Sequence, residues 1–204
     1  WKKFGGLTGA LGSVLFILVF TLEGVYRTGY EPRAMYISEL ALGPRGWIQA
    51  LNFIYLGLSI LFFSRGVFAE FKEKRGNILF LIIGACIFGS GFFTMDPATT
   101  PPLEMSWQGI LHTLLGAIVF LLTPISCFVF FTYFREEPRW QSLQWWTMVA
   151  GIIITAAVVM MAVGPNDPPA APNVFNEWDG LIQRIALITY LSWQFFFALK
   201  LFLV

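Results

Sequence analysis

The sequence predicts an all-α integral membrane bundle of six transmembrane helices, built as three helical hairpins in one domain over residues 1–204. Three observations predict it. Of the 204 residues, 57% are hydrophobic and only 12% are charged, whereas soluble domains average about 45–50% and about 25%. Six apolar segments each have roughly the 20 residues with which a helix crosses a bilayer. Two of the connections between these segments repeat one motif.

The six apolar segments define the expected helices in chain order. Because lipid offers backbone amides no hydrogen-bond partner, each segment must satisfy its own groups and is therefore helical. Paired in order, the segments form hairpins over about residues 4–68, 77–134 and 143–203. A further short helix is expected at the membrane interface over Ala34–Leu42. The predicted spans are Phe4–Tyr26, Trp47–Phe68, Asn77–Met95, Gly109–Phe134, Leu143–Val163 and Asp179–Leu203.

Small residues and one proline indicate how these helices pack. Gly5 and Gly9 in the first span have the four-residue spacing that is typical of close helix contacts. Pro124 lies in the middle of the fourth span. Because proline lacks a backbone donor, it is expected to kink this helix and to free the carbonyl of Phe120.

A repeated connection joins the third span to the fourth and the fifth to the sixth. The two copies lie 71 positions apart, counted from residue 96 to residue 167. Their shared spacing indicates two related hairpins, each with an acidic, proline-containing connection. The first copy is Asp96-Pro97, Pro101, Trp107 and Gly109, and the second is Asp167-Pro168, Pro172, Trp178 and Gly180.

The distribution of charge predicts the orientation. Nine of the 13 Lys and Arg residues lie at the end that carries the termini, and four lie at the other end, which places both termini in the cytoplasm. Eight of the 12 acids lie at the opposite, outer end, where the loops are longer and functional chemistry is expected. The net charge of +1 excludes a general nucleic-acid-binding surface.

Three stretches of the chain resemble a known family. They are Tyr36-Ile37-Ser38-Glu39-Leu40 with Asn52-Phe53 and Gly57, then Gly89, Phe92, Asp96, Gly109 and His112, and finally Gly180-Leu181-Ile182-Gln183-Arg184-Ile185. In order and placement they resemble the uncharacterised membrane family called "domain of unknown function 998". The resemblance implies a six-helix membrane fold and no established activity. It points to Ser38, Glu39, Asp96, His112 and Arg184. Glu39 stands where family members often carry Asp, which keeps the charge on a longer side chain.

These five residues form the candidate ligand-binding site, because all of them fall at outer helix ends or in outer loops. Ionisable groups inside a span usually face the bundle interior or a polar cavity. Each residue also has a structural interpretation. Asp96-Pro97 is a common turn, and His112 is a hydrogen-bond donor that ties down a loop.

For Arg184, the structural interpretation is an ion pair with Glu39, Asp96 or Asp179, because a charge inside a span normally has a partner. Glu23 at the outer end of the first span is a further candidate partner. Gln183 occupies the position in the second repeat that matches His112 in the first.

Three functions are compatible with this pattern. The first is binding of a lipid or other amphipathic ligand in a polar pocket at the outer helix ends. The second is an accessory or structural subunit of a larger membrane complex. The third is an enzyme acting on a lipid headgroup, with His112 as base and Asp96 orienting it. Membrane lipid is the expected partner in the first function, and other membrane protein subunits in the second. The sequence identifies no cofactor, and a single His argues against a metal centre.

Overall fold

The computed structural model is all-helical in the residues that it describes, which are 1–72, 74–163 and 177–204. Three short 3-10 helices accompany the long helices, at Ile37–Ala41, Pro102–Glu104 and Gln141–Leu143. The described ranges contain no strand, so the all-α prediction is confirmed for them. The long helices are α1 (Lys2–Tyr26), α2 (Gly46–Phe71), α3 (Lys74–Ser90), α4 (Trp107–Glu136), α5 (Gln144–Val163) and α6 (Asp179–Leu203).

Five of these helices, α1, α2, α4, α5 and α6, are long and apolar enough to cross a membrane. α3 is a shorter apolar helix. The molecule is therefore a helical bundle of the membrane type. The predicted interfacial helix over Ala34–Leu42 corresponds to the shorter 3-10 helix Ile37–Ala41.

The predicted third span, Asn77–Met95, is wrong at its C-terminal end, because α3 stops at Ser90. The chain turns there, with the amide of Phe92 donating to the carbonyl of Gly89 at 2.9 Å. A Cβ atom on Gly91 would lie 2.7 Å from the carbonyl oxygen of Ala50. This close approach to α2 replaces another helical turn, so Asp96 lies in a loop.

The six helices form a closed ring. Each packs against its neighbours in the chain, and α6 packs against α1. Glycines permit the two contacts of α1. The close contacts predicted for Gly5 and Gly9 are confirmed, since a Cβ atom on Gly9 would lie 2.8 Å from the ring of Phe63 in α2, and Gly6 provides a further contact. A Cβ atom on Gly5 would lie 2.8 Å from the Cα atom of Gly66 in α2, and one on Gly6 would lie 2.6 Å from the backbone nitrogen of Phe202 in α6. Both chain ends therefore lie at the same end of the ring.

We call the end of the ring with residues 1–4, 71–72, 74–75, 135–143 and 200–204 the base. The opposite end, with residues 27–45 and 91–106, we call the mouth. The base half is filled by buried aromatic rings whose neighbouring centroids lie 4.9 to 6.0 Å apart. These rings pack against one another in the interior of the base half. They are Phe63, Phe80, Phe130, Phe134, Trp140, Trp193 and Phe197.

A buried carboxylate ties the elements of the base together. The side chain of Glu70 at the end of α2 is only 2% exposed. Its oxygens pair with Lys2 of α1 and with Arg139, whose guanidinium nitrogen lies 3.2 Å away. The indole of Trp140 donates to the same carboxylate at 3.4 Å. One acid thereby joins the beginning of α1, the end of α2 and the loop after α4.

α4 continues through Pro124 from Trp107 to Glu136. The carbonyl of Phe120, which proline deprives of its backbone donor, accepts a hydrogen bond from the Thr123 hydroxyl at 3.2 Å. The expected free carbonyl is therefore satisfied by the side chain next to the proline.

Candidate functional site

Glu39 joins two loops at the mouth. One carboxylate oxygen accepts the backbone amide of Tyr36 at 2.8 Å, which caps the 3-10 helix, and the other accepts the amide of Ala98 at 3.3 Å. The residue is 7% exposed. Because each oxygen holds a different loop, Glu39 fixes the first loop to the connection between α3 and α4.

Arg184 of α6 holds the first loop from the other side. Its guanidinium donates to the carbonyl oxygens of Pro32 at 2.5 Å, Met35 at 2.9 Å and Gly180 at 2.9 Å. It also donates to the hydroxyl of Tyr30. The fixed fork of a guanidinium suits several convergent oxygens, so the loop is shaped around this side chain.

The expected ion pair of Arg184 with Glu39, Asp96 or Asp179 is wrong, because none of these carboxylates pairs with the guanidinium in the described part of the chain. Asp179 instead accepts a hydrogen bond from the hydroxyl of Tyr36 at 3.3 Å. Convergent loop carbonyls take the place of a carboxylate.

Glu23, the further candidate partner of Arg184, pairs with Arg45 instead. The guanidinium of Arg45 contacts the carboxylate at 2.5 and 3.1 Å. This contact raises the pKa of Arg45 above its ordinary value. The pair links the end of α1 to the beginning of α2, beside the mouth.

Two tyrosines of the first loop remain protonated donors. Burial raises the pKa of Tyr30, and it raises the pKa of Tyr36 further, beside the Asp179 carboxylate. The hydroxyl of Tyr30 donates to the carbonyl of Tyr36 at 2.9 Å. These hydroxyls therefore keep their hydrogen bonds at neutral pH.

Asp96 caps the beginning of α4. Its carboxylate accepts the backbone amide of Ser106 at 2.7 Å, and the hydroxyl of Ser106 accepts the amide of Gly109 at 3.0 Å. The sequence places Asp96 at the end of α3, where its charge would oppose the helix dipole. It lies instead at the N-terminus of the next helix, where a negative charge is favourable by about 0.3–1 kcal/mol.

The repeated glycines mark where each connection meets the helix that follows it. A Cβ atom on Gly109 would collide with the carboxylate of Asp96, and one on Gly180 would collide with the carbonyl of Met35. The amide of Gly180 also donates to the carbonyl of Ala34 at 3.2 Å. In both copies of the motif, the absence of a side chain at glycine therefore allows a loop to pack closely against the beginning of a helix.

His112 lies one turn into α4 and faces the bundle interior. Its Nδ1 atom donates to the carbonyl of Phe93 at 2.7 Å, since a carbonyl oxygen only accepts. The edge of the ring packs on Phe53, with centroids 5.9 Å apart. Asp96 accepts from Ser106 and not from this ring, so the acid–base pair that the enzyme hypothesis needs is not formed.

A small cavity of about 40 Å³ lies directly below the mouth. Its polar lining comes from four different elements, namely Ser38 of the 3-10 helix, Ser90 of α3, His112 of α4 and Gln183 of α6. Since a water needs about 10–15 Å³ of such volume, the space accommodates roughly three waters or one small polar group.

The remaining lining of the cavity is apolar or bare backbone. Phe16, Phe53 and Phe120 contribute aromatic surface, and Gly116 exposes its backbone. A Cβ atom on Gly116 would have no other atom within 4 Å. The cavity therefore combines a polar rim with an apolar floor and has room beside Gly116.

The structure brings together two of the five predicted residues, Ser38 and His112, at this cavity. Glu39, Asp96 and Arg184 are not among its lining residues, because they hold the loops that cover it. Gln183 is not among the five predicted residues; the signals in the sequence that point to it are its match to His112 in the repeat and its place in the third stretch that resembles the family.

Part of the second repeat, Asp167-Pro168 and Pro172, lies outside the described residues. Within residues 1–72, 74–163 and 177–204, no three His, Cys, Asp or Glu side chains are grouped so as to hold a metal ion.

Comparison with known proteins identifies a family. A family with the description "Protein of unknown function (DUF998)" matches residues 10–200, which is nearly the whole chain. No curated protein and no solved structure matches.

Proposed function

The chain belongs to the family of proteins of unknown function DUF998, and from that premise we propose that it binds a lipid or another amphipathic molecule within the membrane. The polar group of this molecule occupies the cavity below the mouth, and its apolar part lies against the aromatic floor. One observation carries the proposal. Ser38, His112 and Gln183 come from three separate elements and line one space.

The lining favours an uncharged polar group that accepts hydrogen bonds. The Gln183 carbonyl oxygen is occupied by the amide of Ile37 at 2.7 Å, which leaves its NH₂ group. The Ser38 hydroxyl is the second donor at the cavity. No Lys, Arg, Asp or Glu is among the described residues that line it, so a hydroxyl, ester or amide oxygen suits it better than a charged group.

The small volume determines how much of the ligand the cavity holds. Drug-sized ligands occupy pockets of about 300–1,000 Å³, far more than the volume of about 40 Å³ found here. Only the polar end of an amphipathic molecule is therefore held in the cavity. Its chain lies between the helices, where it replaces lipid.

We also propose that all six helices cross the bilayer as one domain, with both termini in the cytoplasm. The 17 residues of α3 extend about 25 Å, and bilayer thinning or flanking residues accommodate such a shortfall. The excess of Lys and Arg at the base supports the orientation. In a chain without Cys86 and Cys127, a water-soluble maleimide added to intact cells should label Thr99→Cys and leave Lys72→Cys unlabelled. Labelling of both from outside would contradict the crossing of α3.

Native mass spectrometry of the protein, gently extracted from its own membrane, tests the binding function. We expect a single chain that carries one small molecule. Gln183→Leu should lower its occupancy severalfold, because a hydrogen bond contributes about 1 kcal/mol. Gly116→Ala should do the same by placing a methyl group in the open space. Gln108→Leu, an exposed glutamine near the same end of α4, should leave the occupancy unchanged.

Two outcomes would contradict the proposal. If Gly116→Ala and Gln183→Leu both retained the molecule as well as the wild-type chain does, the molecule would bind at another site. A fixed-ratio assembly with other polypeptides and no small molecule would make the chain an accessory subunit, and Ser38, His112 and Gln183 part of its scaffold.

A further inference from the structure

A second, larger concave site lies near the base, between α3 and α4, and shares no residue with the cavity at the mouth. This groove has a volume of about 480 Å³, within the range of ligand sites. Its lining residues are Arg75, Ile125, Phe128, Val129, Thr132 and Tyr133.

Polarity changes in order along the groove. Thr132 and Tyr133 lie in the last turns of α4, near the base. Phe128 and Val129 follow one turn deeper, and Ile125 lies beyond them. Seven residues separate Thr132 from Ile125, which corresponds to about 10 Å along the helix. The groove is therefore polar at its base end and apolar toward the membrane interior.

The apolar part of the groove faces outward. Ile125 is 40% exposed and Phe128 is 37% exposed, on the side of α4 that turns away from the interior of the ring. Close packing holds the two walls in place, since a Cβ atom on Gly76 in α3 would lie 2.5 Å from the ring of Phe130. The groove is thus a fixed surface feature that is open to lipid.

The charge of Arg75 identifies the occupant. Arg75 lies in the first turn of α3 and lines the polar end of the groove, and the other residues of the lining are uncharged. The groove therefore has a guanidinium group at its polar end. A guanidinium binds a phosphate through parallel hydrogen bonds, and basic sites between membrane helices are suited to anionic headgroups.

We propose that this groove binds one anionic phospholipid, with its phosphate on Arg75 and the side chains of Thr132 and Tyr133 beside the headgroup. One acyl chain lies along Val129, Phe128 and Ile125. The order of chemical groups in the ligand matches that in the groove. A phospholipid has its phosphate at one end and its apolar chain beyond it, and the groove has Arg75 at one end and the apolar wall beyond it.

The test is a native mass spectrometry titration of the full chain in detergent, with phosphatidylglycerol and with phosphatidylcholine of the same acyl chains. We expect one phosphatidylglycerol to bind in preference to phosphatidylcholine. Arg75→Gln should weaken phosphatidylglycerol about fivefold, the factor for roughly 1 kcal/mol per basic residue at an anionic surface. Arg65→Gln is the matched control, because Arg65 lies beside Trp1 and outside the groove.

Ile125→Trp provides an independent variant for the case that Arg75→Gln does not fold. Its larger side chain occupies the apolar wall and should weaken the binding of both lipids, whereas Leu121→Trp, at an exposed residue of α4 outside the groove, should change neither affinity. Equal weakening of phosphatidylglycerol by Arg75→Gln and Arg65→Gln would overturn the proposal. So would wild-type binding without headgroup preference, or unchanged binding in Ile125→Trp.

Discussion

Arg184 shows how a charged residue is accommodated at the end of a membrane helix without a carboxylate. Its guanidinium bonds three backbone carbonyls and the Tyr30 hydroxyl. Hydrogen bonds to a charged group contribute about 1.5–3 kcal/mol, and an unpaired buried carbonyl costs a similar amount. The residue thus serves to position the loop that covers the cavity.

Two substitutions of Arg184 should distinguish the contribution of its positive charge to stability from that of its planar guanidinium shape. We expect Arg184→Met to lower the free energy of unfolding by about 1.5–3 kcal/mol. Arg184→Lys should restore only part of it, because an ammonium lacks the planar fork. Equilibrium unfolding in mixed detergent micelles measures both.

Arg33→Met is the control for this comparison. Arg33 lies over the ring of Trp178 at 5.1 Å, and its loss should cost at most about 1 kcal/mol. Full rescue by Arg184→Lys would show that charge alone is what the site requires.

The sequence identifies these polar residues more readily than their partners. Ser38, Glu39, Asp96, His112 and Arg184 all carry out an identifiable structural task or line the cavity. Most of their partners are backbone amides and carbonyls of the loops, which the tertiary fold brings to these side chains. Backbone groups carry no residue-specific signal, so an ion pair was the natural but incorrect expectation for Arg184.

Among the helices, α4 shows most clearly how a neighbouring side chain replaces a lost backbone hydrogen bond. Pro124 removes one backbone donor, and the Thr123 hydroxyl supplies another to the carbonyl of Phe120. Phe120 also lines the cavity. The dipeptide therefore shapes the floor of the proposed binding site while it satisfies the helix.

A double-mutant cycle tests this compensation. We expect Thr123→Val to cost about 1–3 kcal/mol in unfolding free energy, because a buried carbonyl loses its donor. In a Pro124→Ala background the cost should fall by at least half, since the substituted residue supplies the missing backbone N–H. Equal costs in both backgrounds would mean that the hydroxyl does not compensate for the proline.

Helix positions were largely predictable because apolar length governs them. The predicted first, second, fourth, fifth and sixth spans agree with α1, α2, α4, α5 and α6 to within a few residues. α3 ends five residues before the predicted Met95, because Gly91 packs on α2. Hydropathy continues through Phe92 and Phe93, so an apolar turn cannot be distinguished from an apolar helix there.

On the scale of the whole molecule, closure of the ring depends on α1 and α6, the two helices farthest apart in the chain. The carbonyl of Gly9 accepts from Gln194 at 3.4 Å, and the Ser13 hydroxyl bonds the same amide at 3.2 Å. Gly6 brings the two backbones together farther down. Small and polar side chains at these positions stabilise the closed ring.

Gly6→Ala should weaken that closure. The added Cβ atom would meet backbone atoms of α6, and overpacking of this kind typically costs about 1–3 kcal/mol. Val14→Ala, on the exposed side of α1, should stay within about 0.5 kcal/mol. Thermal unfolding of the detergent-solubilised chain compares them, and equal losses would show that the α1–α6 contact tolerates a wider spacing.

If the cavity binds a ligand as proposed, the bonds that Glu39 forms with Tyr36 and Ala98 also affect how fast that ligand is captured. Ile37 and Ser38 of the 3-10 helix line the cavity, so entry of a ligand from the mouth would displace the loop that both bonds hold, whereas entry between the helices from the bilayer would leave both bonds intact. The relevant concentration is then that of the ligand dissolved in lipid. Association rates along a homologous series should rise with the membrane partition coefficient while the dissociation rate, set by the polar contacts, stays nearly constant.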